Sequence, residues 1–288
     1  MEMETAELSR CEAPLTVRSF GLSDRGKVRE TNEDHFLIAV LLKALQIQQT
    51  SLPQPDIHHS SDRSYLFVVA DGMGGRAAGE QASALAIDSV ESFVLESLKW
   101  FAACQGDEQD QVLTDFQNAL REASLRVHTR ATEHPELHGM GTTLTLAYSL
   151  NDELFVAHAG DSRCYLRRDG KLHRLTRDHT LVADMVRNGI LPAEAAPRHR
   201  WRHVITNFVG GDSAEKEVDV ELHKLKLESG DVILLCSDGL TEMLDDEEIS
   251  RILQSQPEEA CHQFVTRAND LGGRDNITSV VARFEHDE

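Results

Sequence analysis

An apolar β-branched run in this chain, Leu66-Phe67-Val68-Val69-Ala70, stops at an aspartate and a cluster of glycines, Asp71-Gly72-Met73-Gly74-Gly75. The run shows no polar alternation, so it reads as a short strand covered on both faces, with Asp71 leaving the core at the sheet edge. The pattern returns at Val232-Ile233-Leu234-Leu235-Cys236, which runs into Ser237-Asp238-Gly239. A third strand, Leu154–Ala159, ends on Gly160-Asp161-Ser162-Arg163.

Asp-Gly is also the commonest hairpin signal. The residues beyond Asp71 argue against a hairpin, because Ala82, Leu85, Ala86, Val90, Phe93, Val94 and Leu98 recur at helical spacing and predict a helix over about 77–100. Gly72 lacks a Cβ, so its carbonyl can approach a ligand closely. A strand, glycine turn and helix can also cradle phosphate. However, Gly72-x-Gly74-Gly75-x-x-x-Gly79 fits neither the dinucleotide fingerprint nor the P-loop, and no Lys-Ser/Thr comes after it.

From the N-terminus, Leu15–Leu22 reads as a strand, and Arg29-Glu30-Thr31-Asn32-Glu33-Asp34 then lies at the mouth of a second, Phe36–Val40. Residues 43–64, rich in Gln, Ser, Pro and His, read as an exposed inserted loop, with His58-His59 solvated. A second amphipathic helix is expected over about 109–131, and strands over 144–149 and 154–159. The hairpin Asp169-Gly170 comes next. Helical stretches at 181–188 and near Pro192 precede a basic tract, Arg198-His199-Arg200-Trp201-Arg202-His203. This region, about 180–210, reads as a lobe over an active site. Strands at 218–227 and 231–236, helices at 246–254 and 258–270, and a closing strand at 277–284 after Arg274-Asp275-Asn276 complete the chain.

With 288 residues and 40% hydrophobic content, the chain can bury a sizeable core. Its formal charge of −20 opposes binding to nucleic acid. Five scattered cysteines without a C-x-x-C pair indicate neither a disulfide framework nor a zinc site. An acidic N-terminus and short apolar runs leave no signal peptide or membrane span, so a soluble, cytoplasmic monomer is expected.

Asp34, Asp71, Asp161, Asp238 and Asp275 each fall at a strand end or a turn beside one. Gathered at one edge, these carboxylates could not all stay ionised without countercharge. Oxygen-only ligation favours a hard cation such as Mg²⁺ or Mn²⁺.

Arg29-x-x-Asn-Glu-Asp34, Ala70-Asp-Gly-Met-Gly-Gly75, Gly141-Thr-Thr143, Gly160-Asp-Ser-Arg163, Ser237-Asp-Gly-Leu240 and Arg274-Asp-Asn276 resemble, in order, the motifs of PP2C-type (PPM) metal-dependent serine/threonine phosphatases. The resemblance implies an α+β fold, a central antiparallel β-sandwich flanked by helical layers, in a single domain over 15–285 behind a polar segment, 1–14. It implies two Mn²⁺ or Mg²⁺ ions, with Asp71 bridging them, the Gly72 carbonyl on one, and Asp238 and Asp275 on the other. Asp34, with Glu33 as a second candidate, would hold water, Asp161 a weaker third ion, and Arg29 the phosphate of a phosphorylated protein made by a serine/threonine kinase. Met73 stands where eukaryotic members carry a histidine proposed as general acid, which points to a bacterial-type enzyme. The alternatives are a non-catalytic phosphoprotein-binding regulator with the same fold, and a nucleotide-binding α/β domain.

Overall fold

The computed structural model describes residues 15–46, 57–75, 78–96, 107–211 and 217–286. Its strands are β1 (Leu15–Asp24), β2 (Asp34–Gln46), β3 (Ile57–Met73), β4 (Gly141–Thr142), β5 (Leu144–Leu150), β6 (Glu153–Ala159), β7 (Arg163–Arg168), β8 (Lys171–Arg174), β9 (Val209–Gly210), β10 (Glu221–Lys226), β11 (Val232–Cys236) and β12 (Ile277–His286). The α-helices are α1 (Ala78–Glu96), α2 (Asp107–Glu133), α3 (Leu181–Arg187), α4 (Asp238–Thr241), α5 (Asp246–Ile252) and α6 (Pro257–Asp270).

One antiparallel sheet runs β1-β12-β11-β7-β8. The other runs β10-β6-β5-β3, with β2 beside β3 and the short β4 and β9 continuing from the tip of β3. The unbroken apolar run of β3 now has a cause. Phe67 and Val69 pack against the facing sheet, among Ile233, Leu235, Val280 and Phe284. Leu66, Val68 and Ala70 pack against α1 and α2, among Ala82, Ala86, Phe116 and Leu120. β11 is divided the same way, with Val232, Leu234 and Cys236 turned to α6 residues such as Phe264. The result is the expected helix, sheet, sheet, helix layering. Each large side chain buried this way contributes roughly 1.5–3 kcal/mol.

The loop expected over 43–64 is largely a hairpin. β2 continues to Gln46 and β3 begins at Ile57, with Ala44 opposite His59 and Leu45 opposite His58 after a register shift at Leu42. β3 meets β5 only from Ser64 onward, so the earlier part of the ribbon pairs with β2 alone. Backbone pairing suffices there. The intervening 47–56 and the segment 1–14 lie outside the described residues. The hairpin at Asp169-Gly170 forms as expected, both residues having positive φ of 50° and 75°. Among the described residues no helix is long and apolar enough to cross a membrane.

Candidate metal centre

Antiparallel register assembles the site. Asp34 opens β2 directly opposite Asp71 near the end of β3. In the other sheet Cys236 of β11 is opposite Ser279 of β12, so Asp238, two residues on, comes beside Asp275, just before β12. Asp161 sits where the chain crosses between the sheets, from β6 to β7. All five aspartates therefore reach one end of the sandwich. The charge of each of the other four is felt at Asp71.

Backbone contacts fix these positions. The Asp71 N–H donates to Thr143 Oγ1 at 3.0 Å. Its carbonyl accepts from the Thr143 N–H at 2.9 Å and from Thr142 Oγ1 at 2.9 Å. Asp34 Oδ2 accepts from Ser237 Oγ at 2.7 Å, and that hydroxyl in turn accepts from the Thr278 N–H at 3.0 Å. Asn276 holds the incoming loop: its Oδ1 accepts from the Glu33 N–H at 2.8 Å, and its Nδ2 donates to the Arg25 and Thr31 carbonyls, each at 2.9 Å.

Gly72 is needed for a reason beyond ligand access. A Cβ there would stand 2.1 Å from the Gly79 carbonyl oxygen and 2.7 Å from that of Glu33. The backbone of α1 and the Glu33 loop close directly over it. At Gly160, φ is +126° and a Cβ would meet that of Thr143 at 2.5 Å, so this turn too admits only glycine.

The electrostatics are those of a site built for cations. Burial, and then the surrounding carboxylates, push Asp71 and Asp238 well above the usual carboxylate range. Burial raises Asp34 to about 6 against its hydrogen bond from Ser237. Burial and neighbouring Asp178 raise Asp161 to about 7. Asp34 Oδ1 is buried with no hydrogen-bond partner, an unusual cost unless something else occupies that direction. Oxygen donors, mutual repulsion and an orphaned lone pair together fit hard divalent cations.

Arg29 stands at the rim, half exposed and paired through Nη2 with Asp275. That pairing is the main cause of its raised pKa, and the charges of Glu33 and Asp71 act in the same direction. A cleft of about 760 Å³ joins Arg29, Glu33, Asp71, Gly72, Met73, Asp238 and Asp275 to Arg202, His203 and Glu242. A second cavity of about 440 Å³ opens beside Asp161, walled by Val182 of α3, Pro197, Arg202 and His203. Residues of the 180–210 stretch thus flank the carboxylates, and its basic tract supplies Arg202 and His203.

Sequence reasoning missed Glu242, which pairs with His203 at 2.8 Å. Its spacing of one helical turn after Asp238 was the available signal. It also missed a buried cluster of His158, His179 and Glu221, whose ligand-type atoms lie within 4.8 Å of one another.

Comparison with known proteins agrees with this geometry. Residues 46–270 match the profile of Protein phosphatase 2C. The chain is 31% identical over 261 residues to the serine/threonine phosphatase stp of Listeria innocua, covering 90% of this chain and 92% of that one. It is 35% identical over 270 residues to the serine/threonine protein phosphatase PstP of Mycobacterium tuberculosis, covering 93% of this chain and 45% of that one. The crystal structure of the PstP catalytic domain in complex with 2 manganese ions superposes with a TM-score of 0.71 at 32% identity, covering 94% of this chain and 99% of that one. On its sequence match, its relatives and its architecture, the chain belongs to the protein phosphatase 2C family.

Proposed function

We propose that this chain is a metal-dependent protein phosphatase that hydrolyses phosphoserine and phosphothreonine. The observation that carries the reading is the set of five aspartates at one sandwich end, with Asp34 and Asp161 buried, Asp71 and Asp238 raised by desolvation and then by the surrounding carboxylates, and the Asp34 Oδ1 lone pair unmet. Asp71, the Gly72 carbonyl, Asp238 and Asp275 would hold two Mn²⁺ or Mg²⁺ ions, and Asp161 a weaker third. When bound, such ions neutralise the dianionic phosphate and make water nucleophilic near neutral pH.

The protein's own groups supply position. Asp34, anchored through Ser237 and paired in register with Asp71, would orient the attacking water. Arg29 offers a planar fork to two phosphate oxygens, and its partner Asp275 would turn to a cation as the phosphate arrives. Met73 lines the cleft but carries no transferable proton, so the leaving serine or threonine oxygen takes its proton from elsewhere. The substrates would be products of a serine/threonine kinase, the class of enzyme that makes phosphoserine and phosphothreonine. One catalytic domain over 15–285, acting as a cytoplasmic monomer, completes the reading, supported by the core the two sheets share.

The test is turnover of p-nitrophenyl phosphate and a phosphothreonine peptide by purified protein, with Mn²⁺ and after chelation. Turnover of both that disappears with chelator and returns with Mn²⁺ is expected. A protein that binds the peptide without turnover would instead be the non-catalytic regulator.

A further inference from the structure

The cluster of His158, His179 and Glu221 lies behind Asp161, and its hydrogen bonds assign every proton. His179 Nδ1 accepts from the Gly160 N–H at 3.1 Å and from Asn207 Nδ2 at 2.9 Å. The Asn207 amide is oriented independently, since its Oδ1 accepts from the Asp219 N–H at 2.9 Å and its Nδ2 also donates to the Asp219 carbonyl at 2.7 Å. With Nδ1 accepting, a neutral His179 ring carries its proton on Nε2, which faces Glu221 Oε2 at 3.3 Å.

His158 Nε2 approaches two carbonyls, those of Gly160 at 3.0 Å and Arg177 at 2.9 Å, so it too is a donor. A cation would need lone pairs on these nitrogens, which are committed as donors. The cluster's geometry alone admits a metal, but its proton inventory does not.

His179 is also a backbone junction. Its N–H donates to the Gly160 carbonyl at 2.7 Å, and its carbonyl accepts from the Thr206 N–H at 2.8 Å. The next rung closes between Leu181 N–H and the Val204 carbonyl at 2.8 Å, beside the Thr180–Ile205 bridge. One residue therefore touches the turn that carries Asp161 and both chains at the root of the lobe. Its predecessor Asp178 is gripped by Arg163 at 2.9 and 2.8 Å, which ties the same junction to β7.

We propose that His179, with its proton on Nε2 against Glu221, is a positioning residue that locks the Gly160-Asp161 turn to the root of the 180–206 lobe. It thereby sets the third-cation site and the seat of the lobe over the cleft together. This rests on the phosphatase reading above.

Two isosteric changes divide its bonds. His179→Asn places an amide oxygen where Nδ1 accepts, keeping Gly160 and Asn207 but losing Glu221. His179→Gln places an amide N–H where Nε2 donates, keeping Glu221 but losing Gly160. Partners that orient a ligating residue are typically worth 10–100-fold in metal affinity or activity. His179→Gln is therefore expected to weaken the loosest Mn²⁺ site about 10-fold or more by calorimetry, and to raise KM for a phosphothreonine peptide about 10-fold, with a smaller change for p-nitrophenyl phosphate. Trypsin should also cut the lobe at Arg198–Arg202 about 10-fold faster in this variant.

His179→Asn should stay within about 3-fold of wild type in all three measurements, because the Gly160 link is kept. Glu221→Gln retains an acceptor for Nε2–H and should behave likewise. The proposal is overturned if His179→Gln matches wild type in calorimetry and proteolysis. It is also overturned if His179→Asn is the worse variant, or if the purified protein holds stoichiometric zinc that Glu221→Gln removes. Wild-type protein inert toward both substrates would refute the phosphatase reading, while calorimetry and proteolysis would still judge the junction.

Discussion

Raising the pH on protein stripped of divalent cations should weaken it through the aspartate cluster, and Mn²⁺ should cancel the effect. A carboxyl whose folded pKa lies above its unfolded value binds more protons when folded, so its contribution to stability falls as pH climbs from the unfolded to the folded value. Asp34 goes from 3.8 to about 6, and Asp161 from 3.8 to about 7. Each pH unit inside such a window costs about 1.4 kcal/mol per group. Between about pH 5 and about pH 8 the two together lose about 4 kcal/mol, before any contribution from Asp71 and Asp238.

His158 opposes this. Burial, and then the nearby His179, lower its pKa from 6.5 to about 4, so the unfolded chain takes up the proton first as pH falls. That removes about 2 kcal/mol between about pH 6.5 and about pH 5. Metal-free protein should therefore be less stable at the higher pH by at least about 2 kcal/mol, Asp71 and Asp238 adding to the loss. The part due to the aspartates is isolated by comparing melts with and without Mn²⁺, since His158 lies outside the cluster and cancels. The Mn²⁺-induced rise in stability should be larger at about pH 8 by about 4 kcal/mol, on the order of 10 °C in Tm for a chain of this size. An Mn²⁺-induced shift equal at both pH values would refute the argument.

The same geometry makes three further outcomes testable. Asp238→Asn removes a desolvated charge as well as a proposed ligand, so turnover should fall about 1,000-fold or more while the metal-free melt rises; a lower melt would mean the carboxylate is structural. Arg29→Ala removes a charge-assisted contact worth about 1.5–3 kcal/mol, so KM should rise about 10–100-fold with kcat changed less, and steady-state kinetics showing an unchanged KM would place Arg29 elsewhere. Gly72→Ala forces a methyl against two backbone carbonyls and should cost about 1–3 kcal/mol in chemical denaturation together with Mn²⁺ affinity, whereas wild-type values would mean α1 can shift aside.

The parts legible in sequence were those whose signal is local. Apolar runs that end in Asp-Gly, helical spacing after Gly79 and alternation near the closing strands are all carried by consecutive residues. Even there the cause was only half visible: the unbroken run at 66–70 announced burial on both faces, but not that Phe67 would meet the other sheet while Leu66 met the helices. The hairpin arm at 57–63 was hidden because a two-stranded ribbon is formed by backbone pairing, which leaves no period in the sequence. Ser237 beneath Asp34, Asn276 clamping the Arg25–Glu33 loop, and the junction of His158, His179 and Glu221 were hidden for another reason. Most of their partners lie far away in sequence, 19 positions from Gly160 to His179, 203 from Asp34 to Ser237 and 251 from Arg25 to Asn276, and polar satisfaction across such distances leaves no periodic trace.

The site also shows why a phosphatase of this architecture needs both sheets. Asp34 and Asp71 are brought together by one antiparallel pair, Asp238 and Asp275 by another, and neither pair alone gathers enough carboxylates for two cations. Bringing the pairs together is repulsive, as the raised Asp71 and Asp238 record. What holds them is the apolar layer directly beneath, where Phe67 and Val69 behind Asp71 pack with Ile233 and Leu235 behind Asp238. At roughly 1.5–3 kcal/mol for each large side chain, that layer opposes the repulsion. The inter-sheet core is thus part of the proposed metal centre, because it holds the two aspartate pairs together against their own charge.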